Sequence, residues 1–209
     1  MAKRPVNALV LATVLTAGAL FGDGAAAEPG APAAAALFAE HCAACHGDDG
    51  AGVAGLAPNL TDDAWIWGGD PEAVYETIAY GVRAEGFFSR ASEMPRFGED
   101  GLLDAAEIAE VAAYVASLDD PAQQHAREAG REIYVNQCAG CHGEAGEGMQ
   151  AIGAPRLWGG GALFGGPVEQ IAAQVANPQH GVMPAWLETL GEDAVRALAA
   201  HVGALASGG

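Results

Sequence analysis

Apolar residues recur along this chain at the three- and four-residue spacings of helices, with no convincing run of period-two alternation, so the pattern predicts an all-α protein. The predicted helices come in the same order twice. The first helix covers about 32–46 and, later, about 122–142. The second begins at Asp70-Pro71 and again at Gly166-Pro167, proline taking the first helical position, where its missing N–H costs nothing. It carries the i, i+4 pairs Val74/Ile78 and Ile171/Val175. The third opens on the capping pattern Asp104-x-x-Glu107 and turns Ile108, Val111, Val115 and Leu118 inward; its counterpart uses Val195, Leu198, Val202 and Leu205.

The helices repeat because the sequence does. LFAEHCAACHGDDG (37–50) aligns with IYVNQCAGCHGEAG (133–146), APNL (57–60) with APRL (154–157), and IWGGDPE (66–72) with LFGGPVE (163–169). YGV (80–82) aligns with HGV (180–182), after which the second copy passes directly to Met183-Pro184. The first inserts RAEGFFSRASE (83–93) before Met94-Pro95. A tandem duplication follows, with domains expected over 28–120 and 121–209 and the linker DDPAQQ (119–124) between them. Two units of about 90 residues, each with long glycine-rich loops, are marginal if their own side chains alone fill the core. Something large and apolar is missing from the sequence.

Ahead of the repeat, Lys3 and Arg4 precede an apolar run from Ala8 to Phe21 and the small-residue exit Ala25-Ala26-Ala27, the pattern of a secretory signal peptide over 1–27. As a helix that run spans roughly 21 Å, against ~30 Å of bilayer hydrocarbon, which favours cleavage over a retained anchor. A periplasmic protein is expected, touching membrane only through a partner or an uncleaved leader. The formal charge of −18 repels nucleic acid and anionic lipid. It suits either a solvated coat or steering towards a basic partner.

All four cysteines stand in two Cys-x-x-Cys-His motifs, Cys42/Cys45/His46 and Cys138/Cys141/His142. At i, i+3 and i+4 the three side chains share one helical face. Two thiols there can form thioethers to the vinyl groups of one porphyrin edge, and the adjacent imidazole then reaches the iron, the logic of c-type haem attachment. A four-thiolate zinc site would need both pairs to converge and leaves the histidines idle. A redox dithiol expects a βαβ setting, and plain disulfides remain open to an exported chain. Haem explains the duplication and supplies the missing core.

For the sixth iron position the repeat offers Met94 and Met183, each held extended by the following proline. A His/Met pair raises the reduction potential. His180 is the competing ligand, with Tyr80 at its place in copy one. Met149 reads as a packing residue, and His41, His125 and His201 as surface or helix-packing residues. Trp65, Trp67, Trp158, Phe164 and Trp186 read as cofactor walls.

These residues resemble tandem class I cytochrome c domains, each a small three-to-four-helix fold around a covalent haem. More narrowly, NLTDDAWIWGGDPE, YGVR with EMPRF, APRLWGGGALFGG and NPQHGVMPAW resemble the dihaem subunit of cbb-type haem-copper oxidases, over about Ala33 to Leu205. The resemblance implies electron transfer by two haem c groups, with Cys42, Cys45, Cys138 and Cys141 as attachments. It implies His46 and His142 as proximal ligands and Met94 and Met183 as distal ones. It also implies that the carbonyls of Pro58 and Pro155 accept the other imidazole N–H.

That subunit carries a membrane anchor where this chain has a leader-like segment, so the expected function is a periplasmic dihaem carrier. Its partners would be a quinol-cytochrome c reductase or dehydrogenase upstream and a terminal oxidase or reductase downstream. An anchored electron-input subunit of the oxidase is the alternative. A dihaem peroxidase, which needs one open iron, is disfavoured by a methionine in each copy. The protein is thus expected not to be an enzyme.

Overall fold

The computed structural model describes residues 31–124 and 127–207; the leader-like segment and His125 lie outside them. In chain order the helices are α1 (Ala31–His41), α2 (Ala43–His46), α3 (Pro71–Tyr80), α4 (Ala105–Ala116), α5 (Pro121–Gln124), α6 (Glu128–Gln137), α7 (Ala139–His142), α8 (Val168–Ala176), α9 (Leu187–Leu190) and α10 (Glu192–Ser207). A short 3-10 turn covers Gln150–Ile152. Among the described residues β-structure amounts to isolated bridges.

The predicted helices are present, with differences at their ends; Pro167, expected at the first helical position, is the N-cap residue of α8. The first helix of each copy is broken at the leading cysteine of the motif, giving α1/α2 and α6/α7, while α5 is a separate turn in the linker. Cys42 and Cys138 keep right-handed but loosened backbone angles, φ −114° in both. The Cys45 N–H bonds back to the Cys42 carbonyl at 3.1 Å and the His46 N–H to the same carbonyl at 2.9 Å. The three motif residues thus stay on one turn although the helix is interrupted. The predicted cap acts as read, Asp104 and Glu107 forming a complete capping box, and Asp70 adds a second cap by accepting from the Glu72 and Ala73 amides. The short α9 had no apolar periodicity to announce it.

The repeat would place the closing helix of each copy on its own opening helix. The packing is the reverse. α10, from copy two, lies against α1 and α3 of copy one, and α4, from copy one, lies against α6 and α8 of copy two. Two cores result. One joins Phe38, Val74, Tyr75, Ile78 and Ala79 to Val195, Leu198, Ala199 and Val202. The other joins Phe97, Ile108, Val111, Tyr114 and Val115 to Tyr134, Cys138 and Val175.

The crossing is made by the segments that follow α3 and α8. Val82 and Met183 exchange backbone hydrogen bonds at 2.9 Å in both directions. Beyond that point the Trp186 N–H bonds the Ile78 carbonyl at the end of α3, and the Gly98 and Glu99 amides bond the Ala176 carbonyl at the end of α8. Each methionine-bearing segment is therefore pinned to the other copy before its closing helix begins. α6 crosses α4 so closely that a Cβ on Gly130 would strike the Glu110 carbonyl, which is why a buried glycine stands there.

Candidate haem sites

The two Cys-x-x-Cys-His motifs face one continuous cavity of about 710 Å³. His46 points Nδ1 at the Pro58 carbonyl at 3.1 Å, and His142 does the same to Pro155 at 3.0 Å. With Nδ1 donating, Nε2 is the ring nitrogen left with a free lone pair, the form a metal requires. Burial holds both imidazoles below the usual histidine range, the proline carbonyls acting weakly the other way, so both are neutral at pH 7.

The proline carbonyls are held in place by glycines that the sequence reading passed over. Gly52 and Gly148 have φ of +79° and +84°, and their amides bond the His46 and His142 carbonyls at 2.7 Å each. A Cβ on Gly52 would lie 2.6 Å from the Pro58 carbonyl carbon, and one on Gly148 would lie 2.8 Å from that of Pro155. The signal was available: glycine stands one, four and six residues after the histidine in both CHGDDGAG and CHGEAGEG.

All four thiols are free, Cys45 and Cys141 exposed, Cys138 buried and Cys42 between. Burial pushes the Cys42 thiol up and that of Cys138 up to about 11, so both are protonated in the polypeptide. Among the described residues no group of three or more His, Cys, Asp or Glu side chains is placed to hold a metal ion.

Both methionines reach the cavity, from the opposite copies to those the repeat suggests. Met183 packs on the core that contains Phe38, Val74 and Ile78 and is bordered by Cys42. Met94 packs on the core that contains Tyr134, Cys138 and Val175. The exchange of closing helices carries each methionine across with it. His180 is exposed at the cavity rim.

Met149 is 39% exposed rather than packed, and its backbone pairs with Ala154 as Val53 pairs with Ala57. His201 packs edge-on against Phe38 and His41 lies against Trp186, as helix-packing residues would. Trp65, Trp67, Phe164 and Trp186 line the cavity. Trp158 does not; it lies under the Arg156 guanidinium at 4.4 Å.

The sites differ in one polar tie. Tyr134, fully buried, donates its hydroxyl to the Gly143 carbonyl at 2.6 Å, beside His142; Phe38, at the same place in copy one, has nothing to donate.

These donors suit a covalently held haem: paired thiols, an oriented neutral imidazole, a thioether segment and apolar walls. Comparison with known proteins agrees. Residues 29–115 and 125–202 match the family described as cytochrome C oxidase, cbb3-type, subunit III, and the chain belongs to that family. It is 44% identical over 178 residues to the cbb3-type cytochrome c oxidase subunit FixP of Sinorhizobium medicae, covering 84% of this chain and 61% of that protein. It is 42% identical over 178 residues to the cbb3-type cytochrome c oxidase subunit CcoP of Cereibacter sphaeroides, with the same coverages. The chain thus spans about three-fifths of the length of these relatives. Membership of this cytochrome family implies covalently bound haem c and an electron-transfer role in respiration.

Proposed function

We propose that this chain carries two haem c groups and serves as an electron-transfer subunit of a cbb3-type oxidase, facing the periplasm. The free periplasmic carrier suggested by its leader-like N-terminus becomes the second choice. Membership of the oxidase-subunit family and identity to two named oxidase subunits favour this order. Among the described residues no helix is long and apolar enough to cross a membrane.

In this reading Cys42 and Cys45 hold one group with His46 and Met183 as iron ligands, and Cys138 and Cys141 hold the other with His142 and Met94. The observation that supports it is that both carbonyl-anchored imidazoles and both methionines line one apolar cavity, Met183 packing on the core bordered by Cys42 and Met94 on the core that contains Cys138. When bound, haem c would supply a reversible one-electron couple, and ligation by a thioether together with an imidazole would favour its reduced form.

The chain does the rest by holding its ligands still. Pro58 and Pro155 fix the imidazole rings, the Val82–Met183 pairing fixes one methionine, and Trp65, Trp67, Phe164 and Trp186 exclude water, keeping reorganisation small. With two methionine segments in place no position is reserved for a substrate, so the proposed role is transfer without catalysis.

Purification from native membranes tests this. The chain is expected to co-purify with the oxygen-reducing subunits, with a mass exceeding that of its polypeptide by two haems. A chain recovered only from the soluble periplasmic fraction, with no oxidase subunit attached, would overturn the subunit assignment. A mass increment of one haem would overturn the count.

A further inference from the structure

We infer that Arg83 is a positioning residue that locks the two methionine-bearing segments to each other, so that one side chain sets the distal geometry of both sites; this rests on the reading of Met94 and Met183 as iron ligands. Its Nε donates to the Gly181 carbonyl at 2.6 Å and its Nη1 to the Ser92 carbonyl at 2.9 Å. Gly181 stands two residues before Met183, and Ser92 two before Met94. The two carbonyls belong to different copies of the repeat. A planar guanidinium presents its N–H groups in a fixed fork, so bonding both carbonyls fixes their relative position as well as their distance.

Three further observations mark Arg83 out. Arg90, Arg96, Arg131, Arg156 and Arg196 each pair with a carboxylate, whereas the hydrogen bonds of Arg83 go to backbone carbonyls. Its guanidinium is partly buried in the wall of the cavity that both histidines and both methionines line. Among the described residues it is the one non-glycine with positive φ, 52°, a conformation that an L-residue other than Asn or Asp rarely keeps without reason. The backbone accepts that conformation while its neighbours are tied down: the Arg83 N–H bonds the Arg90 carbonyl at 2.7 Å, and the Val82 N–H bonds the Met183 carbonyl.

The residue is also the first of the insertion that distinguishes copy one. Copy two passes from Val182 straight to Met183 and has no counterpart. One clamp therefore serves two sites, and its effects on them are coupled. Its charge acts in the same sense on both. A fixed cation in a low-dielectric wall disfavours the more positive, oxidised state of any nearby couple, so Arg83 raises both potentials.

The test uses the purified, fully loaded chain in four forms: unaltered, Arg83→Gln, Arg83→Lys and Arg83→Gly. Glycine accepts φ 52° without strain, so this variant removes the side chain while keeping the backbone. Redox titration reads both midpoint potentials, and the charge-transfer absorption of methionine-ligated ferric haem reads the distal bonds. Arg83→Gln and Arg83→Gly are expected to lower both potentials and weaken that absorption at both sites. Arg83→Lys, which keeps the charge but not the fork, is expected to recover the potentials in part and not the absorption.

Arg196→Gln is the control. It removes a different tie between the copies, the ion pair of Arg196 with Glu72 at 3.7 Å, from a residue that does not line the cavity, and is expected to leave both potentials where they were. Arg83→Gln and Arg83→Gly variants that keep both potentials, or move only one, overturn the inference while the ligand reading stands. Absence of methionine-ligated absorption in the unaltered chain overturns the ligand reading itself, and the inference with it.

Discussion

Val82 and Met183 stand on different copies of the repeat, yet each donates its N–H to the other's carbonyl at 2.9 Å. This pair marks the point where the two chain segments exchange places. Past it, each of the two cores is built from residues of both copies.

Cooperative unfolding follows first. Residues 28–120 expressed alone would lack α10 against Phe38 and Ile78, and would present an uncovered α4. Neither half is expected to fold by itself, and calorimetry of the whole chain should show one transition rather than two. Leu198→Ala removes a side chain that is 1% exposed at the centre of the core around α1 and should cost about 2–5 kcal/mol.

Ligand pairing can be read by NMR in the reduced, diamagnetic state. The Met183 methyl group is expected to show cross-peaks to Val74 and Ile78, and that of Met94 to Val111 and Val175. The opposite pattern would restore the copy-by-copy pairing. Met183→His should lower the potential of the Cys42/Cys45 site, and Met94→His that of the Cys138/Cys141 site.

Gly52→Ala forces a left-handed φ on alanine, at about 1–2 kcal/mol, and drives a methyl group into the Pro58 carbonyl. The expected result is a lower melting temperature together with a shifted potential at the His46 site, the other site keeping its value. Gly148→Ala should mirror this at His142. A pair of variants that melt earlier with unchanged potentials would separate the glycines from the imidazole–carbonyl bond.

Salt offers a further check on the assembly. If the chain is fixed within an oxidase, electron delivery from it to the rest of the complex should be flat as salt rises, although screening shortens from about 8 Å at physiological ionic strength to about 3 Å at 1 M. A steep fall measured by stopped-flow would favour a carrier that docks through its acidic coat afresh at each turnover.

Much of this was legible because its causes are local. Capping at Asp70 and Asp104 and apolar spacing along α3, α4, α8 and α10 depend on neighbours within a few residues, and the two Cys-x-x-Cys-His motifs declare their own chemistry. The exchange of closing helices was not legible. Val195, Leu198 and Val202 present the same kind of apolar stripe as Ile108, Val111 and Val115, so either helix could be expected on either opening helix. The choice is made by the connections, where the Val82–Met183 pair and the Ala176 and Ile78 carbonyls hold each segment across. The glycines behind Pro58 and Pro155 were visible as a spacing, but their necessity appears only when the loop folds back on itself.

Helix exchange also gives the two sites different histories during synthesis. The ribosome makes α4 before α6 and α8, so the partner helix for the second motif is already waiting when that motif emerges. The first motif, made earliest, stays unfinished until α10 arrives, nearly a whole chain later. A polypeptide cut short after α8 would still contain every helix of the core around Cys138 and would lack the helix that closes the one beside Cys42, so truncation strikes first at the end of the molecule farthest from the cut.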